Sequence, residues 1–305
     1  MDRIVIAGIS GFIGQILSRK FLQQGHEVIG LTRNPDRSLR DGAIASRFVG
    51  WDGLQTGAWV AELDGAAALI NLSGENIAAE RWSPERRSRL RSSRLETVDV
   101  FRRALTGMSN PPRCVMQASA IGYYGTDIEQ ELDETAPPGA GFLADLVREL
   151  EEKVSQIEVR GIRTVILRFG MVLGRDGGVL PKMSLPFRLG LGARLGNGHQ
   201  WMSWIHATDL AEAVDFLMTA GHGVFNLTAP VPLRNRDFTR ILARTLKRPV
   251  WFALPRFLLR AIFGKMAEEV LLSSQRVVPR RLTEAGFRFA FPTLDNALSD
   301  LYRRP

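Results

Sequence analysis

The chain is poor in the residues on which several chemistries depend. It holds one cysteine, Cys114, so no disulfide closes within it and a disulfide-stapled scaffold is excluded. Cys114 lies in the apolar run Cys114-Val115-Met116, where burial raises a thiol pKa, and it reads as a core thiol. The four histidines, His26, His199, His206 and His222, show no ligand spacing, which argues against a metal centre. No G-x-S-x-G elbow is present, so a serine hydrolase is set aside. No apolar run reaches about eighteen residues, and no transmembrane helix is expected. The N-terminus enters a strand directly, without the basic region, apolar core and cleavage site of a signal peptide. There is no internal repeat and no low-complexity tract. These absences together fit a reducing cytoplasm.

What is present is a chain of 305 residues with 45% hydrophobic content, enough for one large domain or two modest ones. The net charge of +8 admits nucleic acid, an anionic membrane or a phosphate-bearing small ligand as a partner. The densest basic run, Arg81 to Arg94, carries six arginines. It falls on a predicted helix, Pro84 to Leu105, whose arginines do not share one face and whose Leu90, Val98 and Phe101 supply a buried side. That pattern reads as a solvated face, so neither nucleic acid nor membrane is the expected partner. A small molecule is.

The strongest signal is at the start. Ile4, Val5 and Ile6 have the character of a buried parallel strand, Gly8, Gly11 and Gly14 follow at G-x-x-G-x-x-G spacing, and an amphipathic helix runs to Gln24. Glycines here permit a tight turn and close approach to a pyrophosphate, and free N–H groups at the helix start face that anion. A second strand, His26 to Arg33, ends in Thr32 and Arg33, with no acidic residue before Asp36. An acid at that tip accepts the ribose 2′-hydroxyl of NAD, whereas an arginine suits the 2′-phosphate of NADP, so NADP is preferred. A third strand spans 47–51. The fourth, 67–73, ends in Ser73-Gly74-Glu75-Asn76, small residues that let a cofactor lie close. The fifth spans 113–119, an acidic surface loop 126–141, a helix 142–159, the sixth strand 162–169 and a glycine-rich turn 170–178. The alternation predicts an α/β doubly wound parallel sheet. The expected division is a dinucleotide-binding domain over 1–178, to which later segments return, and a smaller, mostly helical substrate-side part over 179–305. Within the latter, 181–198 reads as a lid, 201–206 as a strand, 209–218 as a helix capped by Thr208, 224–227 as a strand, and 235–245 and 257–275 as helical.

With these residues placed, the chain resembles the extended short-chain dehydrogenase/reductase superfamily, and more closely its atypical epimerase-like family. The resemblance rests on GISGFIG at 8–14, LTRNP at 31–35, INLSGENI at 70–77, SRLET at 93–97, SAIGYYG at 119–125, LRFGMVLG at 167–174 and WIHATDL at 204–210. The tail from Leu254 to Leu298 is similar to the small C-terminal domain found with this family. The resemblance implies a Rossmann-type fold and NADP(H). It assigns Gly8, Ser10, Gly11, Phe12, Ile13 and Gly14 to the pyrophosphate loop and Thr32 and Arg33 to the adenosine phosphate. It also implies that Leu72, Ser73 and Gly74 line the cofactor, that Arg94 reaches it, and that Gly170 and Met171 lie near the nicotinamide. Superfamily members often form dimers, so a homodimer is among its implications.

The superfamily's chemistry needs a tyrosine as acid/base, a lysine four positions on that lowers its pKa, and a serine. In this chain Phe142 and Leu146 stand at the expected tyrosine and lysine, and Ala120 takes the place of the serine beside Ser119. The candidates for a replacement are Ser119, Tyr124 (or Tyr123) and Glu75 with Asn76. His206 with Asp209 reads more readily as a joint between the two parts of the fold. Two readings stay open: an NADP(H)-dependent oxidoreductase or epimerase-like enzyme with an unusual acid/base set, and a catalytically silent NADP(H)-binding sensor.

Overall fold

The computed structural model describes residues 1–158 and 162–303. Side-chain alternation along the first strand, β1 (Arg3–Ala7), sets the layering. Ile4 and Ile6 join one apolar cluster with Leu17 and Phe21, while Val5 and Ala7 join another with Val98 and Phe101. All four strand residues are fully buried, as a strand covered on both faces requires. Six further strands complete the sheet: β2 (Glu27–Thr32), β3 (Arg47–Gly50), β4 (Ala68–Asn71), β5 (Cys114–Ala120), β6 (Arg163–Phe169) and β7 (Gly223–Leu227). Their order is β7-β6-β5-β4-β1-β2-β3, and every pairing is parallel. The order reverses between β1 and β4, the switch point at which such sheets open a crevice at their strands' carboxyl ends. The sheet is the doubly wound, Rossmann-like core expected from the sequence.

The helices are α1 (Phe12–Gln23), α2 (Pro35–Arg40), α3 (Pro84–Leu105), α4 (Phe142–Glu158), α5 (Leu180–Arg188), α6 (Ala207–Ala220), α7 (Asn235–Leu246), α8 (Arg256–Phe263), α9 (Arg280–Glu284) and α10 (Leu294–Tyr302). The first cluster takes Leu17 from α1 and Val214 from α6, the second Val98 from α3 and Val154 from α4, so the two pairs cover opposite faces. A third cluster holds Phe187, Phe238 and Leu298 and forms the core of the smaller helical part. Among the described residues no helix is long and apolar enough to cross a membrane.

Several elements depart from expectation, and each departure has a distant cause. The loop 126–141 contains a strand, Ile128–Leu132, which pairs in parallel with Gln275–Val277. The region 257–275 is therefore not one helix. It breaks at Gly264, which has φ +62°, into α8, a short π-turn Ala267–Leu271 and that partner strand. The turn 170–178 begins with a strand, Met171–Leu173, and the segment 181–198 holds α5 and a strand Ala193–Leu195. The strand over 201–206 divides at Ser203, where Trp201–Met202 pairs with Leu233–Arg234 and Trp204–His206 with Met171–Leu173. The Ser203 hydroxyl takes up the break, donating to the Gln275 carbonyl at 2.8 Å and accepting from the Val277 N–H at 2.9 Å. Val159, last in the predicted helix 142–159, lies outside the described residues, as do Arg304 and Pro305.

The cap of α6 is His206 rather than Thr208: its Nδ1 accepts the Thr208 N–H at 3.1 Å. Asp209 is buried beside it and accepts from the N–H groups of Ala290 and Phe291 at 2.8 and 3.0 Å. The Phe291 ring lies 4.0 Å from the imidazole. These contacts fasten the C-terminal segment to the start of α6. Burial pushes the His206 pKa down to about 4, against a partial upward pull from Asp300. Below its ordinary pKa of 6.5 the unfolded chain takes a proton that the folded one refuses. Stability is therefore full above that pH and falls as pH drops toward 4, by on the order of 2–3 kcal/mol. The variant His206→Asn, which retains a capping oxygen, is expected to flatten the pH dependence of urea-unfolding free energy across this window. An unchanged slope would remove the histidine as its source.

Candidate active site

The loop after β1 is built by the absence of side chains. Gly8 has φ +80°, and a Cβ on it would stand 2.9 Å from the carbonyl carbon and oxygen of Leu72, so this loop lies against the one that follows β4. A Cβ on Gly14 would stand 2.6 Å from the carbonyl oxygens of Gly8 and Ile9, so α1 rises tightly from the turn. Gly11 occupies the N-cap of α1 and supplies no capping side chain, which leaves the first-turn N–H groups for an anion. The ring of Phe12 fills the space that side chains at Gly174, Gly177 and Gly178 would need.

Two cavities flank this loop. The larger, about 1070 Å³, runs from Ser10, Gly11 and Phe12 to the tip of β2 and is bordered by Arg19, Arg33, Arg37 and Arg175. Asp41, Asp176 and Asp300 also border it. At the tip itself the Thr32 hydroxyl lies 2.9 Å from that of Ser38, and Asn34 starts α2 by accepting the Arg37 N–H at 2.9 Å. The smaller cavity, about 640 Å³, is bordered by Gly8, Ile13, Gly14, Leu72, Ser73 and Gly74 on one side and by Ser119, Gly170 and Met171 on another. Every residue that the resemblance placed on the cofactor therefore lines one cavity or the other. Arg94 borders the smaller one, but its guanidinium donates to the carbonyls of Leu90 and Glu75, each at 2.9 Å, and so ties down the chain around Gly74. Burial, with repulsion from Arg86 added, pulls its pKa down to about 10.

Of the two α4 positions singled out in the sequence, Leu146 borders the smaller cavity and Phe142 does not. Phe142 packs edge-on against Trp82, ring centroids 5.3 Å apart, and does not border the smaller cavity. The residues of α4 that do are Leu143, Leu146, Val147 and Leu150. They form two i, i+4 pairs, Leu143 with Val147 and Leu146 with Leu150, and none of the four can carry a proton. The helix start is capped from far away: the Leu143 N–H donates to the Glu269 carboxylate at 2.9 Å.

Behind Ser119 lies a network unforeseen from the sequence. The Ser119 hydroxyl donates to Glu151 at 2.6 Å, and Arg168 grips the same carboxylate through Nε at 2.9 Å and Nη2 at 2.6 Å. Arg168 also donates to the Tyr124 hydroxyl at 2.9 Å, and that hydroxyl donates to Asn226 at 2.8 Å. Tyr124 is wholly buried and borders neither cavity, and burial raises its pKa to about 12. Its neighbour Tyr123 stacks on Arg168, 3.4 Å from guanidinium carbon to ring centroid. One sequence signal pointed here: an arginine inside the apolar strand TVILRF demands a buried carboxylate. Glu75 borders the cavity and is ion-paired with Arg86. Arg86 belongs to the run read as a solvated face, yet it is 4% exposed and also donates to the Asn76 carbonyl at 2.6 Å.

The variant Glu151→Gln leaves the Arg168 charge buried and uncompensated, and a loss of about 3–5 kcal/mol in urea unfolding is expected. The surface pair Arg91–Glu149 is the control, since Glu149→Gln should cost less than about 1 kcal/mol. Equal losses would mean that the buried pair has no special weight.

Comparison with known proteins adds the following. The model of the NAD dependent epimerase/dehydratase family matches residues 4–228, and that of a domain of unknown function, DUF1731, matches residues 254–301. The epimerase family protein SDR39U1 of Bos taurus is 36% identical over 305 residues, covering 98% of this chain and 99% of its own. The epimerase family protein YfhF of Bacillus subtilis is 35% identical over 302 residues, covering 98% and 97%. The crystal structure of human SDR39U1 (isoform 2) with NADPH superposes with a TM-score of 0.87 at 33% identity, covering 98% of both chains.

Proposed function

Since the chain belongs to the NAD dependent epimerase/dehydratase family, we propose that it binds NADP(H) across the carboxyl end of its sheet and exchanges hydride with a small molecule. The observation that carries this reading is the tight glycine loop at Gly8, Gly11 and Gly14 beside a β2 tip that offers Arg33 and no acid. The solved human relative described with NADPH supports it. Gly8 to Gly14 would hold the pyrophosphate, Thr32 and Arg33 the adenosine phosphate, and Leu72, Ser73, Gly74, Gly170 and Met171 the remainder. When bound, the nicotinamide supplies a hydride donor or acceptor.

The chain's own part in the reaction falls to two side chains. Ser119 borders the cavity with its proton committed to Glu151, so its oxygen accepts a hydrogen bond from a substrate hydroxyl. Glu75 is one of two carboxylates on that border and is ion-paired with Arg86, while the other, Glu269, is taken up by the start of α4. Tyr124 acts only through Arg168 and Glu151, as a positioning residue. A silent NADP(H)-binding sensor is the second reading, favoured by Phe142 and Leu146 at the expected tyrosine and lysine and by the wholly apolar α4 residues on the cavity border.

Fluorescence titration should show NADPH bound more tightly than NADH, with Arg33→Ala losing the difference. Loss of one phosphate contact is worth about tenfold or more. Equal affinities for the two cofactors would sink the NADP assignment. Absorbance of NADPH in a metabolite screen then separates enzyme from sensor. Turnover that Glu75→Gln leaves unchanged removes Glu75 as an acid or base.

A further inference from the structure

Resting on that reading of the cofactor, we propose that the substrate of the smaller cavity is an uncharged, largely apolar alcohol or carbonyl compound and not a nucleoside diphosphate sugar. The wall is the first ground. Leu143, Val147 and Leu150 come from α4, Val270 and Leu271 from the C-terminal part, and Met202 from between them. A face of this kind recovers free energy only from apolar surface.

Charge is the second ground. Among the described residues bordering the cavity, the one cation is Arg94, and its two Nη atoms already donate to Leu90 and Glu75. Glu75 and Glu269 place two carboxylates on the same border. The start of α4, where free N–H groups would welcome a phosphate, is occupied by the protein's own Glu269 carboxylate. A diphosphate entering on this side would meet one cation, Arg94, already hydrogen-bonded to two backbone carbonyls, and the carboxylates of Glu269 and of Glu75, the latter paired with Arg86, so most of its charge would be desolvated without a counter-charge. The third ground is Ser119. With its proton held by Glu151, it offers the cavity an acceptor of fixed orientation beside the apolar residues of α4, suited to a hydroxyl on an otherwise apolar molecule.

Calorimetric titration of the full chain, with and without NADPH, tests this with methyl ketones from 2-butanone to 2-nonanone and with UDP-glucose. The dissociation constant is expected to fall about 3–4-fold per added methylene until the cavity is filled. UDP-glucose should bind more weakly than 2-nonanone, and Val147→Glu should weaken the longer ketones about tenfold or more. A constant affinity along the series, or UDP-glucose binding more tightly than 2-nonanone, overturns the proposal; this series uses the unaltered protein, so it does not depend on how the variant folds. A chain-length dependence that persists while NADPH fails to bind overturns the cofactor reading alone. NADPH binding with a flat ketone series overturns the apolar-substrate proposal alone.

Discussion

Arg168 is 3% exposed on β6, between β5 and the edge strand β7, and a guanidinium buried there needs a partner for its charge. Sheet register puts Ser119 of β5 on one flank and Asn226 of β7 on the other. Glu151 arrives from α4 and Tyr124 from the short turn after β5. Five segments thus meet at one charge. Because Ser119 borders the cavity on its other side, the arrangement that satisfies the buried arginine also fixes what the cavity is offered. The loss of the tyrosine and lysine leaves this part intact, since Glu151 stands four positions beyond Val147 on the same helical face.

The glycine loop divides the crevice into two unlike spaces. Toward β2 the border is rich in arginine, and toward α4 it is rich in leucine and valine. A molecule with a phosphorylated end and a neutral reactive end matches that gradient along its length. Asp41, Asp176 and Asp300 offset most of the arginines' charge, so the arginine end of the cleft carries a small positive excess.

Local sequence patterns carried most of the main sheet. β1, α1, β2 and α3 were legible because period and punctuation coincide within each: Ile4 to Ile6 before Gly8, and Pro84 after Ser83, which caps α3 by accepting the Arg86 N–H at 3.1 Å. The strand Ile128–Leu132 was not legible, since its partner comes from Gln275–Val277 and nothing local announces the pairing. The site was legible where it consists of backbone. Gly8 and Gly14 declare themselves because a side chain at either would run into backbone. That Phe142 turns away from the cavity was not legible, because a helix's rotation about its axis is set by packing, here against Trp82, and not by spacing alone. Arg86 and Arg168 show the same limit: a charge is readable as such, but its partner is chosen by the fold.

Gly141 has no side chain with which to cap α4, and the cap comes from Glu269, 126 residues after the N–H it receives. The wall of the cavity is thus finished by a part of the chain made much later. At ordinary rates of synthesis, about 5–20 residues per second, the cofactor loop exists for many seconds before Glu269 leaves the ribosome. A nascent chain therefore has a place for phosphates well before it has a closed place for a reaction.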